Sequence, residues 1–200
     1  MQNDLLFPVD ISVENISKSF ADKLVLDNVS FTVKGGSTAV IQGASGSGKT
    51  TLIRIIAGLI KPDAGEIKGI TPGKVSFLFQ DDRLFPWLTA LQNVEAVIKR
   101  KDGKALAREL LDMLGLGNSA DMNAYPSELS GGMNRRVAIA RALAYDSELL
   151  ILDEALRGLD EANTENTVSV IKRFTKGKTL ISVTHKLSSL EADADQFISL

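Results

Sequence analysis

The stretch from Gly43 to Thr51, GASGSGKTT, restricts what this chain can fold into more than any other. It carries the G-x-x-x-x-G-K-[ST] spacing, a glycine-rich turn that exposes backbone N–H groups just before a helix. That spacing has meaning only between a strand and a helix, and both flanks are legible. Thr38-Ala39-Val40-Ile41 is short, apolar and β-branched, as a buried strand is. Leu52 to Leu59 repeats apolar residues at helical spacing and stops before Pro62. Gly43, Ala44, Ser45, Gly46, Ser47 and Gly48 can therefore wrap a chain of phosphates. Lys49 brings a positive charge to the β and γ groups, and the Thr50 hydroxyl, followed by Thr51, is placed to ligate Mg2+. The helix N-terminus adds about half a positive charge at the same point.

Bulk properties remove several classes of function. Two hundred residues, 44% of them hydrophobic, suffice for one well-buried core with a smaller lobe. A formal charge of −2 gives no basic surface for nucleic acid, and no nucleic-acid partner is expected. The absence of cysteine rules out disulfides, thiolate metal sites and a thiol nucleophile. The opening residues, MQNDLLFPVD, contain acids and a short apolar run and do not read as a secretion signal. No apolar run is long enough to span a membrane, so a membrane role requires a partner.

Along the chain, Asp10 to Ser17 alternates as a half-buried strand, and Leu24–Leu26 and Val29–Val33 repeat the pattern around an expected Asp27-Asn28 turn. Further strands are expected at Ala64–Ile67, Lys74–Phe79, Leu149–Leu152, Thr179–Val183 and Gln196–Leu200. Helical patterning runs from Leu91 to about Tyr125, clearest at Ala105–Leu114, then from Ser130 through Tyr145 and from Glu161 to Thr175. Strands and helices alternating around the glycine loop predict a parallel-cored α/β sheet. An antiparallel meander would precede it and a helical lobe, about 90–145, would be inserted.

Four other places carry chemistry. Asp153 ends an apolar strand, where a carboxylate can hold Mg2+, and Glu154, one residue on, can act as general base on a water. Gln80 follows the expected strand Val75–Phe79 and offers a neutral amide to metal or water. His185, the sole histidine, stands just beyond the strand at Thr179–Val183, where it can reach a γ-phosphate. Leu129-Ser130-Gly131-Gly132-Met133 makes a second anion cradle at a helix start, with no lysine. One triphosphate does not need two cradles in one small domain, so this one should serve a nucleotide held by another copy.

GASGSGKT, Gln80, LSGGM, LLILDE, Gly158-Leu159-Asp160 and His185, in that order, resemble an ATP-binding-cassette ATPase over nearly all of the chain. The resemblance implies a P-loop NTPase fold with a mixed, parallel-cored sheet, forming a single domain over 1–200. Its core would take about 1–89 and 146–200, with the helical signature lobe at about 90–145. It implies ATP and Mg2+ as ligands, with Thr50, Gln80 and Asp153 on the metal. It also implies a head-to-tail dimer in which Ser130, Gly131 and Gly132 of one subunit close on the nucleotide of the other. Phe20 would stack on adenine and Asp160 would sit at the dimer contact. Met133, Ala155 and Arg157-Gly158 depart from the usual family residues, and the lobe is shorter than usual.

Within that family, Asp81 to Thr89, DDRLFPWLT, is similar to the segment by which bacterial importers of nitrate, sulfonate and taurine dock a membrane subunit. Leu84, Phe85 and Trp87, exposed around Pro86, would be the apolar patch that meets it. The expectation is an importer's ATPase subunit, cytoplasmic and peripheral on the inner face of the cell membrane and docked on integral-membrane permeases. A soluble ATPase of the same family, an exporter ATPase and a small P-loop kinase are the rivals. A kinase leaves Ser130–Gly132 without a use.

Overall fold

A computed structural model describes residues 9–184 and 188–200. The first eight residues, read above against a secretion signal, and His185 lie outside the described residues. In chain order the elements are β1 (Ile11–Phe20), β2 (Lys23–Val33), β3 (Thr38–Gln42), α1 (Lys49–Ile56), β4 (Ala64–Lys68), β5 (Val75–Leu78) and α2 (Ala90–Glu95). They continue as α3 (Gly103–Met113), α4 (Ser119–Asn123), α5 (Gly131–Ala144), β6 (Leu149–Asp153), α6 (Glu161–Thr175), β7 (Thr179–Val183), α7 (Ser189–Ala192) and β8 (Gln196–Ser199). The described residues form two compact units. One comprises 9–75, Ser147–Asp153, 176–184 and 188–200, the other Ser76–Asp146 and Glu154–Thr175.

The first unit holds an antiparallel sheet in the order β2-β1-β4 and parallel strands in the order β6-β7-β3-β8. Every residue of β6 and β7 is buried, which explains their unbroken apolar sequence: a parallel strand covered on both faces has no use for alternation. Against them α1 buries Leu52, Ile53, Ile55 and Ile56. This is the mixed, parallel-cored α/β arrangement that the sequence suggests.

The meander differs in one respect. β2 is a single strand, and the chain reverses at Ala21-Asp22 rather than at Asp27-Asn28. Asn28 adopts φ +50 where the register steps from Ile16↔Val29 to Lys18↔Leu26, so the turn signal is spent on a β-bulge. The Asn28 amide, displaced from the ladder, donates to Ser17 Oγ at 2.9 Å. β5 is also shorter than expected, ending at Leu78.

The second unit is helical. Val94, Leu110, Leu111, Leu114, Val137 and Ile139 form its core from α2, α3 and α5. α5 is buried along nearly its whole length after Arg135, consistent with its long apolar run. α6 is tied to α3 by Arg173 with Glu109 at 3.5 Å, and Asn166 Nδ2 donates to the Met113 carbonyl at 2.8 Å.

Gly65 in β4 sits at φ +85, and a methyl group there would press on the backbone carbonyls of Glu14 and Asn15 in β1. Neither backbone can retreat without opening the β1–β4 ladder. Gly65→Ala should therefore destabilise the chain by more than about 1 kcal/mol, read as a lower denaturant midpoint at unchanged m-value.

Candidate functional site

In the first unit the parallel register aligns the ends of three strands, because Asp153 pairs with Val183 and Val183 pairs with Ile41. The chain leaves β3 at Gln42, turns through Gly43–Gly48 and enters α1 at Lys49. Gly48 caps that helix at φ +97, and a Cβ there would stand 2.7 Å from Leu26 Cδ2 and 2.9 Å from the Val25 carbonyl oxygen, so only glycine fits. Ala44, Ser45 and Gly46 form the exposed rim of the loop, while Thr50 and Thr51 are half-buried in the first turn of α1.

Lys49 is 5% exposed, and its ammonium donates to the carbonyls of Gly43 at 2.9 Å and Ala44 at 2.7 Å. Both acceptors are neutral, so among the described residues this buried positive charge is held by carbonyl dipoles. Ser47 Oγ, inside the same loop, is buried without a hydrogen-bond partner among the described residues. A charged donor set against neutral carbonyls and an unsatisfied hydroxyl in one glycine-rich loop fit a phosphate chain. Asp153 is buried at the end of β6, and its carboxylate and the Thr50 hydroxyl are oxygens of the kind that could ligate magnesium. Among the described residues no cluster of three His, Cys, Asp or Glu side chains could hold a metal unaided. Phe20, at the end of β1, is 47% exposed with the Lys18 ammonium 5.6 Å from its ring centroid, so the ring is a surface group rather than core.

The second unit brings Gln80 and Glu154 together. Gln80 Nε2 donates to Glu154 Oε2 at 3.3 Å, and the Arg157 guanidinium stands 3.6 Å from the same oxygen. Glu154 adopts φ +50, uncommon for a non-glycine residue. Ser130 is the N-cap of α5 and its Oγ accepts from the Met133 amide at 3.2 Å, with Gly131 and Gly132 in the first turn. Position 133 supplies this bond through its backbone, so methionine there leaves the cap intact.

Asp160 opens α6, accepting from the Asn163 amide N–H at 2.9 Å and the Asn163 side chain at 2.7 Å. Those donors, the backbone N–H foremost, hold its carboxyl below the usual carboxylate range.

The Asp81–Thr89 segment is built into the same unit. Trp87 is 69% exposed and its ring centroid lies 5.7 Å from that of Phe85, while Leu84 is half-buried rather than exposed. The turn is knitted by Asn93, fully buried, which accepts from the Phe85 amide and donates to the carbonyls of Phe85, Leu88 and Thr89. Arg141 donates to the carbonyls of Asp82 at 2.8 Å and Arg83 at 2.9 Å.

Sequence reasoning missed Asn93, Arg135 and Arg141, which hold the backbone around the site. Arg135, 3% exposed, bonds to the carbonyls of Phe79, Gln80, Glu154 and Ala155. The available signal was a polar or charged side chain at an apolar-phase position of a buried helix.

The sequence pattern of the family described as ABC transporter matches residues 26–157. The chain is 35% identical over 192 residues to the aliphatic sulfonates import ATP-binding protein SsuB 1 of Paracoccus denitrificans, covering 95% of this chain and 78% of that protein. It is 39% identical to the protein of the same name from Burkholderia lata, covering 94% of this chain but 60% of the relative. Among solved structures, it resembles the ATP-binding cassette MJ0796, in a dimeric post-hydrolysis state bound to ADP and Pi, with a TM-score of 0.84 and 32% identity. That likeness covers 95% of this chain and 94% of the other. A bacterial Atm1-family ABC exporter with ATP bound gives a TM-score of 0.88 at 25% identity, covering 98% of this chain and 38% of that one.

The Asp160 geometry has a pH signature. A carboxylate whose pKa is depressed by folding stabilises above its unfolded value, about 4, and loses that stabilisation as pH falls through the lower folded value. Asp160→Ala should lower the melting temperature at pH 7, and the gap to the parent should narrow by pH 3 in thermal melts.

Proposed function

The chain belongs to the ABC transporter family, and on that premise we propose that it is the ATP-binding and ATP-hydrolysing subunit of a bacterial importer of small solutes such as sulfonates, nitrate or taurine. The observation that carries the ATPase reading is the buried Lys49 ammonium, turned back into the glycine-rich loop and held there by the carbonyls of Gly43 and Ala44. The names of the relatives support import and the sulfonate-like solute class. Since the chain spans 60% of one relative and 78% of another, transport by the whole protein is part of the proposal.

In this reading the N–H groups of Gly43–Thr51 and Lys49 bind and orient the triphosphate, and Phe20 stacks on the base. Thr50 and Asp153 would hold magnesium with Gln80, and the ion, when bound, neutralises charge on the phosphate oxygens. Glu154 accepts a proton from the attacking water; a positioned base of this kind contributes about 10²–10⁴-fold. His185 would hydrogen-bond the γ-phosphate. Ser130–Gly132 present capped-helix N–H groups to the nucleotide of a second, head-to-tail subunit, and Asp160 lies at that contact. The dimeric state of the similar cassette supports this arrangement.

Phe85 and Trp87 offer exposed apolar surface on a turn stiffened by Asn93, which suits the docking of an integral-membrane permease. Among the described residues no helix is long and apolar enough to cross a membrane; in this reading the chain sits at the inner face through that partner.

Glu154→Gln should bind ATP as the parent does and lose at least about 100-fold in hydrolysis. It should also accumulate as a dimer with ATP and magnesium on size exclusion. Ser130→Arg should bind nucleotide as a monomer without turnover; parental turnover in that variant would dispose of the shared site. Affinity purification from membranes should recover a permease, and recovery of none would defeat the importer assignment.

A further inference from the structure

The guanidinium of Arg135 is the most heavily committed charged group in the second unit, and the reaction proposed above leaves it without a role. Its Nε donates to the Ala155 carbonyl at 2.7 Å and its Nη2 to the Glu154 carbonyl at 2.8 Å. Its Nη1 reaches the carbonyls of Phe79 at 2.7 Å and Gln80 at 3.3 Å, and the Asp82 carboxylate at 3.1 Å. The carbonyls it holds belong to, or adjoin, the two residues whose side chains meet at 3.3 Å, Gln80 and Glu154.

We propose that Arg135 is a positioning residue for ATP hydrolysis: it fixes the backbone beneath Gln80 and Glu154 and ties both to the Ser130 end of α5. The assignment rests on the ATPase function proposed above.

A merely space-filling side chain does not explain this site. A buried guanidinium has to recover its lost hydration through hydrogen bonds, and an apolar side chain of similar volume avoids that cost. What arginine supplies is a planar fork that can orient several carbonyls at once, and two separate chain segments converge on it here. One of them passes through φ +50 at Glu154, a conformation that persists only where its surroundings enforce it. The Glu154 side chain cannot be set relative to a water unless that backbone is held, and Arg135 holds the carbonyls of residues 154 and 155 together. The third link is covalent. Arg135 lies on α5, whose N-cap is Ser130, so engagement of the Ser130 cradle and the orientation of Gln80 and Glu154 share one rigid element.

Lysine at 135 keeps the charge but replaces the fork by a point donor that cannot serve both segments. The test is steady-state ATPase kinetics on the full chain carrying Arg135→Lys, with nucleotide binding followed by a fluorescent ATP analogue and folding by thermal melts. We expect binding and KM within about twofold of the parent and kcat lower by about tenfold or more, since misplacement near 1 Å costs up to about 10²-fold. Unchanged kcat, a loss confined to KM, or a loss matched by the unfolded fraction would overturn the role. If Arg135→Lys does not fold, Asp82→Asn, which removes the carboxylate and spares the four carbonyls, should lower kcat several-fold at unchanged melting temperature. Parental kcat in that variant would count equally against it. A parent chain without turnover, or Glu154→Gln at full rate, would instead strike the ATPase reading itself.

Discussion

Parallel strands buried on both faces leave the chain only their ends for chemistry. β6 and β7 expose no residue along their length, so a charged group on either strand can appear only where the strand stops. The register brings Asp153, Val183 and Ile41 to one level, and the chain leaves β3 for the glycine loop just beyond it. Lys49 then enters α1 with its charge turned back into the loop. That a glycine loop and a carboxylate follow the ends of neighbouring strands is thus a consequence of sheet burial, before any ligand is considered. This is why the C-terminal edges of such sheets host ligands.

The same economy of groups explains why several site residues have two employments. Ser130 caps α5 and Asp160 caps the start of α6, and each accepts from the backbone of its own helix. In the reading proposed here both also face a second subunit. The capping interactions fix the loops, so the N–H groups left over at the start of α5 are already aimed when a partner arrives. A side chain occupied within its own chain organises donors rather than supplying all of them, a cheaper way to preorganise an anion site than ordering it on contact.

Residues whose chemistry sits in short local patterns were legible from the sequence. The glycine loop, the buried strands, the cap at Ser130 and the acids after Leu152 all announce themselves within a few positions. The turn at Asp27-Asn28 was misread because Asn at positive φ marks a bulge as readily as a turn, and Ser17, which stabilises the bulge, is distant in sequence. Leu84 was misjudged for a similar reason: exposure in a loop depends on what packs behind it, which adjacent residues do not reveal. The supporting shell was illegible altogether. Asn93 and Arg141 act on carbonyls, and every residue has one, so no pattern of side chains points to their partners.

Taken together, these hidden contacts make α5 more than a structural helix. At about 1.5 Å per residue it extends roughly 20 Å. Ser130 stands at its beginning, Arg135 beneath Gln80 and Glu154 follows, and Arg141 near its end grips the backbone of Asp82 and Arg83. That last pair leads straight into the exposed Phe85 and Trp87. A packed helix does not bend to accommodate one end while the other stays still, because its buried side chains interdigitate at close to crystal density. In the reading proposed here, displacement of the aromatic segment would be felt at the Gln80–Glu154 pair and at Ser130 through one body held by three sets of hydrogen bonds. Coupling between hydrolysis and the permease proposed to dock at Phe85 and Trp87 would need no longer relay than this helix.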